Sequence, residues 1–568
     1  MNDLKWWQKA VFYQIYPRSF ADGNGDGIGD FKGIIEKLDY LEDLGIDALW
    51  LSPFYPSPQL DFGYDVADYT DVEPKYGTLE TFQVFLDGAH RRGIRVIVDL
   101  VPNHTSDQHP WFIQSRSSQD NAKRDWYVWR DPGEDGGPPN NWESVFTGSA
   151  WAYDENTEQY YYHMFLKEQP DLNWRSPEVK RAMWDVVRFW LDLGVDGFRL
   201  DAIGTIFEDP EMRDETSGVR LVELYMMAEA AETATERAIV EAKQEEKFEH
   251  QIGQPELHPL FQELRRLVDH EYEEQVLVGE TGLIDFYGDG DNELHLAFNF
   301  PLMRTEELTP EHIRANQEKR LSQLPEGAWP CNTLGNHDSP RVYSRYGDGE
   351  HDDELARLSL ALMLTLRGTP FLYNGEEIGM TNLIVDDFNQ LRDTLALRMY
   401  DLAVTEVGMP PGQAFELVRQ ETRDTCRSPM QWEDAPNAGF SPAGVETWLP
   451  VNRNYAEGVN VAEQQADPDS MLNFYKRMLA MRRQTPALIA GDYVALHEEA
   501  EEYLAFLRST AEQTCLVVLN FSENEHSLTF DLEEATSRLV FSSTERGNAG
   551  DPSDLRIAPF EVYIVELA

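Results

Sequence analysis

Gly197-Phe198-Arg199-Leu200-Asp201, preceded by Gly194-Val195-Asp196, is the stretch from which the fold can be read. A short apolar run between a glycine turn and an acid predicts a buried strand that presents Arg199 and Asp201 at its C-terminal end. Side chains two positions apart on a strand point to the same side, so the two leave that end together. By itself Arg-x-Asp is an ordinary buried ion pair. Three more apolar runs end in matching chemistry: Asp99-Leu100-Val101-Pro102-Asn103-His104, Val278-Gly279-Glu280 and Gly335-Asn336-His337-Asp338.

Working outward, eight strand-like runs alternate with amphipathic windows. The runs are Val11–Tyr16, Ala48–Leu51, Arg95–Leu100, Val195–Leu200, Gln275–Glu280, Leu294–Phe300, Cys331–Asn336 and Pro370–Asn374. In the window Pro177–Leu193, Val179, Met183, Val186, Val187, Trp190 and Leu193 recur at helical spacing. Strand and helix in alternation predict an α/β (β/α)8 TIM barrel, with its chemistry at the C-terminal strand ends. All four motifs fall there. The rhythm divides the chain into a first barrel part (1–103), an inserted loop-rich domain after the third strand (104–173) and the rest of the barrel (174–491). That last part carries insertions at 208–250 and 382–425. Short strand runs from Tyr503 onward predict a C-terminal antiparallel β-sandwich over 492–568.

Bulk properties narrow the function. The 568 residues carry 102 acidic against 48 basic side chains, a net charge of −54, and only 12 of the basic ones are Lys. Such a chain lacks the basic footprint that nucleic acid or an anionic membrane requires, so neither is expected as a partner. At molar salt, where charges are screened over about 3 Å, the self-repulsion is relieved, which predicts adaptation to high salt. The three cysteines, Cys331, Cys426 and Cys515, are too scattered for a disulfide framework. With no apolar run of membrane length and no signal-like start in Met1-Asn2-Asp3-Leu4-Lys5-Trp6-Trp7, a cytoplasmic protein is expected.

Carboxylates at separate strand mouths, joined by His and Arg, suit acetal cleavage, in which one carboxylate attacks or activates and one acid protonates the leaving oxygen. The chain resembles glycoside hydrolase family 13, the α-amylase clan, along essentially its whole length. The resemblance rests on the four motifs above, on Ala10–Phe20, and on Gly368-Thr369-Pro370-Phe371-Leu372-Tyr373. Gln169-Pro170-Asp171-Leu172-Asn173 and Ser428-Pro429-Met430-Gln431-Trp432 are similar to the α-glucosidase and oligo-1,6-glucosidase branch.

That resemblance implies Asp201 as nucleophile, Glu280 as general acid and then base, and Asp338 as the stabiliser of the distorted sugar. Arg199 would keep Asp201 ionised, and Glu280, closing an apolar strand, would carry a proton. Retention follows, with the two carboxyls roughly 5–5.5 Å apart. His104 and His337 would bond the terminal glucose, Tyr64 would stack on it, and Asp61 paired with Arg427 would close the pocket behind it, giving exo action. Phe146 and Phe165 are candidate walls. Asp22-Gly23-Asn24-Gly25-Asp26-Gly27-Ile28-Gly29-Asp30 offers oxygens at alternate positions. Glycines permit its tight turn, and hard cations favour such loops. By the resemblance, Asp22, Asn24, Asp26, Asp30 and the Ile28 carbonyl would hold a structural Ca²⁺ or Mg²⁺, with no organic cofactor.

Ala202, after the nucleophile, is smaller than the Val that accompanies α-1,6 cleavage in the resembled branch, and so predicts α-1,4 substrates such as maltose and short malto-oligosaccharides. Transglucosylation belongs to the same chemistry. The alternatives are an oligo-1,6-glucosidase, a trehalose synthase or sucrose isomerase and, remotely, a non-catalytic sugar-binding scaffold. Small α-glucosides are the expected partners of a monomer or homodimer.

Overall fold

The computed structural model describes residues 4–231, 233–532, 537–544 and 546–567. Met1–Asp3, read above for a secretion signal, lie outside them. Eight short parallel strands form a ring: β1 (Phe12–Ile15), β2 (Ala48–Leu51), β3 (Arg95–Leu100), β4 (Gly197–Leu200), β5 (Val276–Gly279), β6 (Leu296–Ala297), β7 (Cys331–Thr333) and β8 (Thr369–Tyr373). They pair in the order β7-β8-β1-β2-β3-β4-β5-β6, and one parallel bridge, Phe298 to Cys331, joins β6 back to β7. The architecture is a TIM barrel. β6 is shorter than the run Leu294–Phe300 predicts, because a helix, Phe300–Met303, starts there with Pro301 in its first turn. A proline has no N–H to give a strand ladder.

Local chemistry explains the β3–β4 region. Helix Pro177–Leu193 begins at Ser176, whose side chain accepts from the Val179 N–H, and buries Val179, Met183, Val187 and Trp190 against the ring. Gly194, at φ 111°, ends it in the left-handed region that glycine adopts without penalty. Gly197 opens β4 at φ 148°, and a Cβ there would lie 2.1 Å from the Val276 carbonyl oxygen. Only glycine lets β4 approach β5 this closely. Both strands are buried along their whole length, as a parallel sheet covered on both faces requires.

Between β3 and that helix, three short strands, Trp129–Arg130, Trp151–Asp154 and Gln159–Tyr162, pair antiparallel. Trp142, Trp151 and Tyr162 form a cluster there with Leu221, Leu224 and Phe248. Those last three come from the helix pair Leu221–Glu229 and Ala234–Phe248, which follows β4. After β8 a second pair, Thr394–Thr405 and Pro411–Glu421, leaves the ring. The C-terminal region is antiparallel. Its five-stranded sheet includes Asp492–Leu496, which the sequence reading did not anticipate, and Leu555–Ile557 pairs with His526–Leu528 beside it. Leu504, Phe506 and Val517 of this sheet join the main core, so it packs on the barrel rather than hanging from it.

Candidate active site

The parallel ladder runs one residue past the ends of β4 and β5. The Asp201 N–H donates to the Leu100 carbonyl and the Glu280 N–H to the Leu200 carbonyl, both at 2.9 Å. This holds the two carboxylates side by side at the barrel mouth. In register, Arg199 lies between Asp99 on β3 and Val278 on β5. Its guanidinium serves three acids: Nη1 is 2.8 Å from Asp99 Oδ1 and 2.7 Å from Asp201 Oδ1, and Nη2 is 2.9 Å from Glu280 Oε1. The other Glu280 oxygen accepts the Ala202 N–H at 2.8 Å.

One guanidinium cannot neutralise three carboxylates. Burial pushes Asp99 up to about 7 against the pull of Arg199. Burial, with Glu280 and Asp99 adding repulsion, also pushes Asp201 upward despite Arg199. Asp99 and Asp201 are therefore both held toward the protonated form against the pull of the same guanidinium. Arg199 thus has a wider task than keeping Asp201 ionised, because it draws three acids together at the mouth. The Glu280 side chain is 26% exposed, against 10% for Asp201 and none for Asp99, so Glu280 is the member that faces the mouth.

Asp338 stands apart from this group. An Asx turn, with its own N–H donating to Asn336 Oδ1 at 2.9 Å, fixes its backbone. Arg427 Nη2 bonds its carboxylate, and Arg423 Nη1 lies 3.6 Å away. Burial alone would raise it, but His337, Arg427 and Arg423 hold it well below the usual carboxylate range. Asp338 is an anion at every working pH.

His104 and His337 are both pushed down to about 3 by burial and are neutral imidazoles. The Gln14 amide lies 2.7 Å from His337 Nδ1, which leaves Nε2 to carry the hydrogen toward the Tyr64 hydroxyl 2.6 Å away. The Tyr64 ring stacks on His337 at 5.7 Å between centroids. His104 Nε2 lies 3.2 Å from the Tyr64 carbonyl and 3.1 Å from Gln169 Nε2. Phe165 packs 5.0 Å from the His104 ring, and Phe146 lies 5.8 Å from both Phe165 and the Arg423 guanidinium. Both phenylalanines therefore stand beside site residues.

The expected Asp61–Arg427 pair does not form. Asp61 pairs with Arg423, at 3.3 Å, and accepts from Gln169 at 3.1 Å. Arg427 is turned away because its guanidinium is committed to the His337 carbonyl and to Asp338. Arg423 is aimed by a third acid, Asp393, 2.6 Å from its Nη2. Burial pushes Asp61 up to about 6 against the pull of Arg423 and then Arg427, so this wall is fully charged only above that pH.

Sequence reasoning missed Asp99, Gln169, Arg423 and Asp393 as site residues. Asp99 and Gln169 stood inside motifs already noticed. Arg423 had a weaker signal, a second arginine four positions before Arg427. Asp393 had none.

In the Asp22–Asp30 loop, Asp22 accepts from the Gly25 and Gly27 N–H groups at 2.6 and 2.8 Å and from Ser441 Oγ at 2.7 Å. Asp30 accepts from Asn24 and Gly33 N–H at 2.9 and 2.7 Å. Asn24 and Asp26 accept from the N–H groups of Asp26 and Ile28. Gly27, at φ 92°, presses on the Glu446 carbonyl so closely that a Cβ would lie 2.1 Å from it. The loop thereby ties the first βα connection to the segment beyond Trp432.

A barrel mouth with neighbouring carboxylates on one arginine, a separate anion, and neutral imidazoles beside an aromatic wall defines a glycoside-cleaving enzyme. Residues 14–491 match the model for the α-amylase catalytic domain, and residues 493–564 match that for the maltogenic amylase C-terminal domain. The chain belongs to the α-amylase family of glycoside hydrolases, family 13. It is 39% identical to an oligo-1,6-glucosidase of Parageobacillus thermoglucosidasius, over 99% of each chain. It is 41% identical to a probable α-glucosidase of Rhizobium meliloti, over 92% of this chain and 90% of that one. Among solved structures, the trehalulose synthase of Pseudomonas mesoacidophila superposes with a TM-score of 0.88 at 37% identity, covering 100% of both.

Proposed function

We propose that the protein is a retaining, exo-acting α-glucosidase that releases the terminal α-1,4-linked glucose of maltose and short malto-oligosaccharides, with transfer to other acceptors as a side reaction. The observation that carries this is the Arg199 cluster, which presents an inner carboxylate, Asp201, beside a more exposed one, Glu280. Asp201 attacks C1 of the terminal glucose from the β face while Glu280 gives its proton to the departing oxygen. Water, deprotonated by Glu280, then attacks C1 and displaces Asp201. Exo action follows from the Asp61–Arg423 pair, with Phe146 against it, standing as a wall beside Asp338.

The α-1,4 preference rests on Ala202, which has φ 46° and donates its N–H to Glu280. Its side chain therefore borders the leaving-group side. A β-branched residue is disfavoured in that left-handed conformation, besides filling the space. Because relatives are named oligo-1,6-glucosidases, the test sets maltose against isomaltose. NMR of early product is expected to show α-glucose before mutarotation, with kcat/KM at least tenfold higher on maltose. Ala202→Val should narrow or reverse that ratio. An isomaltose preference in the unaltered enzyme would overturn the linkage assignment.

A structural divalent cation in the Asp22–Asp30 loop and adaptation to salt complete the proposal. The all-oxygen donor set of Asp22, Asn24, Asp26, Asp30 and the Ile28 carbonyl fits Ca²⁺ or Mg²⁺, and the net charge of −54 supports the second point. Thermal melts test both. EDTA should lower Tm by several degrees, reversibly with Ca²⁺, and molar KCl should raise it. Unchanged melts would remove each in turn.

A further inference from the structure

At the end of the barrel opposite the sugar site, a cavity of about 560 Å³ lies between the N-terminal ends of β1, β2, β3 and β5 and the helix Met471–Arg483. Four of the residues around it are cations, Lys9, Arg95, Arg482 and Arg483, and two are acids, Asp47 and Glu274. The chain as a whole carries 102 acidic against 48 basic side chains, so this cavity inverts the ratio.

Both acids are already engaged. Asp47 accepts from Arg483 Nη2 at 2.8 Å through one oxygen and from the Val11 N–H at 2.9 Å through the other. Glu274 lies 3.9 Å from Arg95 Nη2, and Arg95 Nη1 holds Asp196 at 2.7 Å. Lys9 and Arg482 are left over. The Lys9 ammonium makes no hydrogen bond or ion pair among the described residues. Arg482 is 1% exposed, and its bonds go to the carbonyls of Leu364, Gly368 and Leu488, with no partner for Nε. Burial lowers Arg482 to about 10 with Asp47 pulling the other way, so it is still charged at neutral pH. A buried cation answered by carbonyl dipoles alone favours an anion nearby.

The open donors suit an oxyanion. Arg483 is committed through Nη2 only, which leaves Nη1 and Nε free on an exposed side chain. A guanidinium fork beside an ammonium matches the geometry and charge of phosphate. The volume is that of a small-molecule pocket, and Leu4 and Trp6 give it an apolar border that an organic group could cover. The net charge of −54 elsewhere on the chain does not forbid this, because at molar salt it is screened over about 3 Å.

We propose that this cavity at the closed end of the barrel is a binding site for a phosphate-bearing small molecule, held by Lys9, Arg482 and Arg483 with its organic portion against Trp6 and Leu4. The site is separate from the sugar centre and does not depend on which glucoside that centre takes.

The test is calorimetric titration of the whole chain with inorganic phosphate and with phenyl phosphate, the ionic strength being held near about 1 M with KCl so that general charge effects are screened. One site per chain is expected. Lys9→Glu and Arg483→Glu should each raise Kd by about tenfold or more, the loss of a charge-assisted contact. Lys319→Glu, the same charge change at an exposed lysine outside the cavity, should leave Kd unchanged. All three variants should turn over maltose like the unaltered protein. Lys9 has no partner to lose, so its variant keeps the test available if Arg483→Glu, deprived of Asp47, fails to fold. Tighter binding of phenyl phosphate, with the gain lost in Trp6→Ala, would assign an organic phosphate. Equal affinities would assign free phosphate, and either result upholds the oxyanion site. No binding of either probe, or binding that Lys9→Glu and Arg483→Glu weaken no more than Lys319→Glu does, would overturn the inference and leave the glucosidase reading untouched.

Discussion

Asp201→Ala is expected to lower kcat on maltose by about 10⁴- to 10⁶-fold, the range in which removal of a covalent nucleophile falls. In free energy this is about 5–8 kcal/mol of transition-state stabilisation, at 1.36 kcal/mol per factor of ten. Substrate binding is expected to survive, because Asp338, His104 and His337 are held by bonds that do not involve Asp201. The diagnostic readout is chemical. Azide should enter the space vacated on the β face and yield β-glucosyl azide from an activated α-glucoside. Asp201→Asn, which keeps the shape beside Arg199, controls for folding. Activity within tenfold of the unaltered enzyme would dismiss Asp201 as nucleophile.

Glu280→Gln should cost about 10²- to 10⁴-fold on maltose, the span of a lost general acid–base. Glutamine can still accept the Ala202 N–H, so the turn after β4 is preserved. The loss should depend on the leaving group. An aryl α-glucoside with an acidic phenol needs no protonation to depart, so its first step is spared and glucosyl-enzyme accumulates as a burst. The pH profile carries a second signature. Glu280 is one of the charges that raise Asp201 and Asp99. Removing that negative charge lowers their pKa values, so the acid limb of kcat/KM on the aryl substrate should move to lower pH. A uniform loss on both substrates, with no burst and no shift, would speak against the assignment.

The barrel, its strand ends and the three carboxylates were legible because they are local. Period-2 and period-3.6 patterns, and the closing residue of each apolar run, are fixed by residues a few positions apart. The Asp61 partner was not legible. Arg423 and Arg427 are four apart and equally basic, and the choice between them is made by which acids already occupy each guanidinium. Arg427 is taken by Asp338, and Arg423 is oriented by Asp393, thirty residues upstream in a helical excursion. The early end of β6 was readable in principle from Pro301.

The sequence alone determined the fold class and the family resemblance, and it placed Asp201 and Glu280 at strand ends and Asp338 in the loop leaving β7, because each position is specified by its own neighbours. Tertiary structure alone decided that Asp99, Asp201 and Glu280 share one guanidinium. It decided equally that Arg423, not Arg427, pairs with Asp61 and that the excursions after β4 and β8 enclose an apolar space. Those outcomes depend on through-space distances between distant segments, and on burial that strengthens every charge interaction, neither of which is encoded by spacing along the chain.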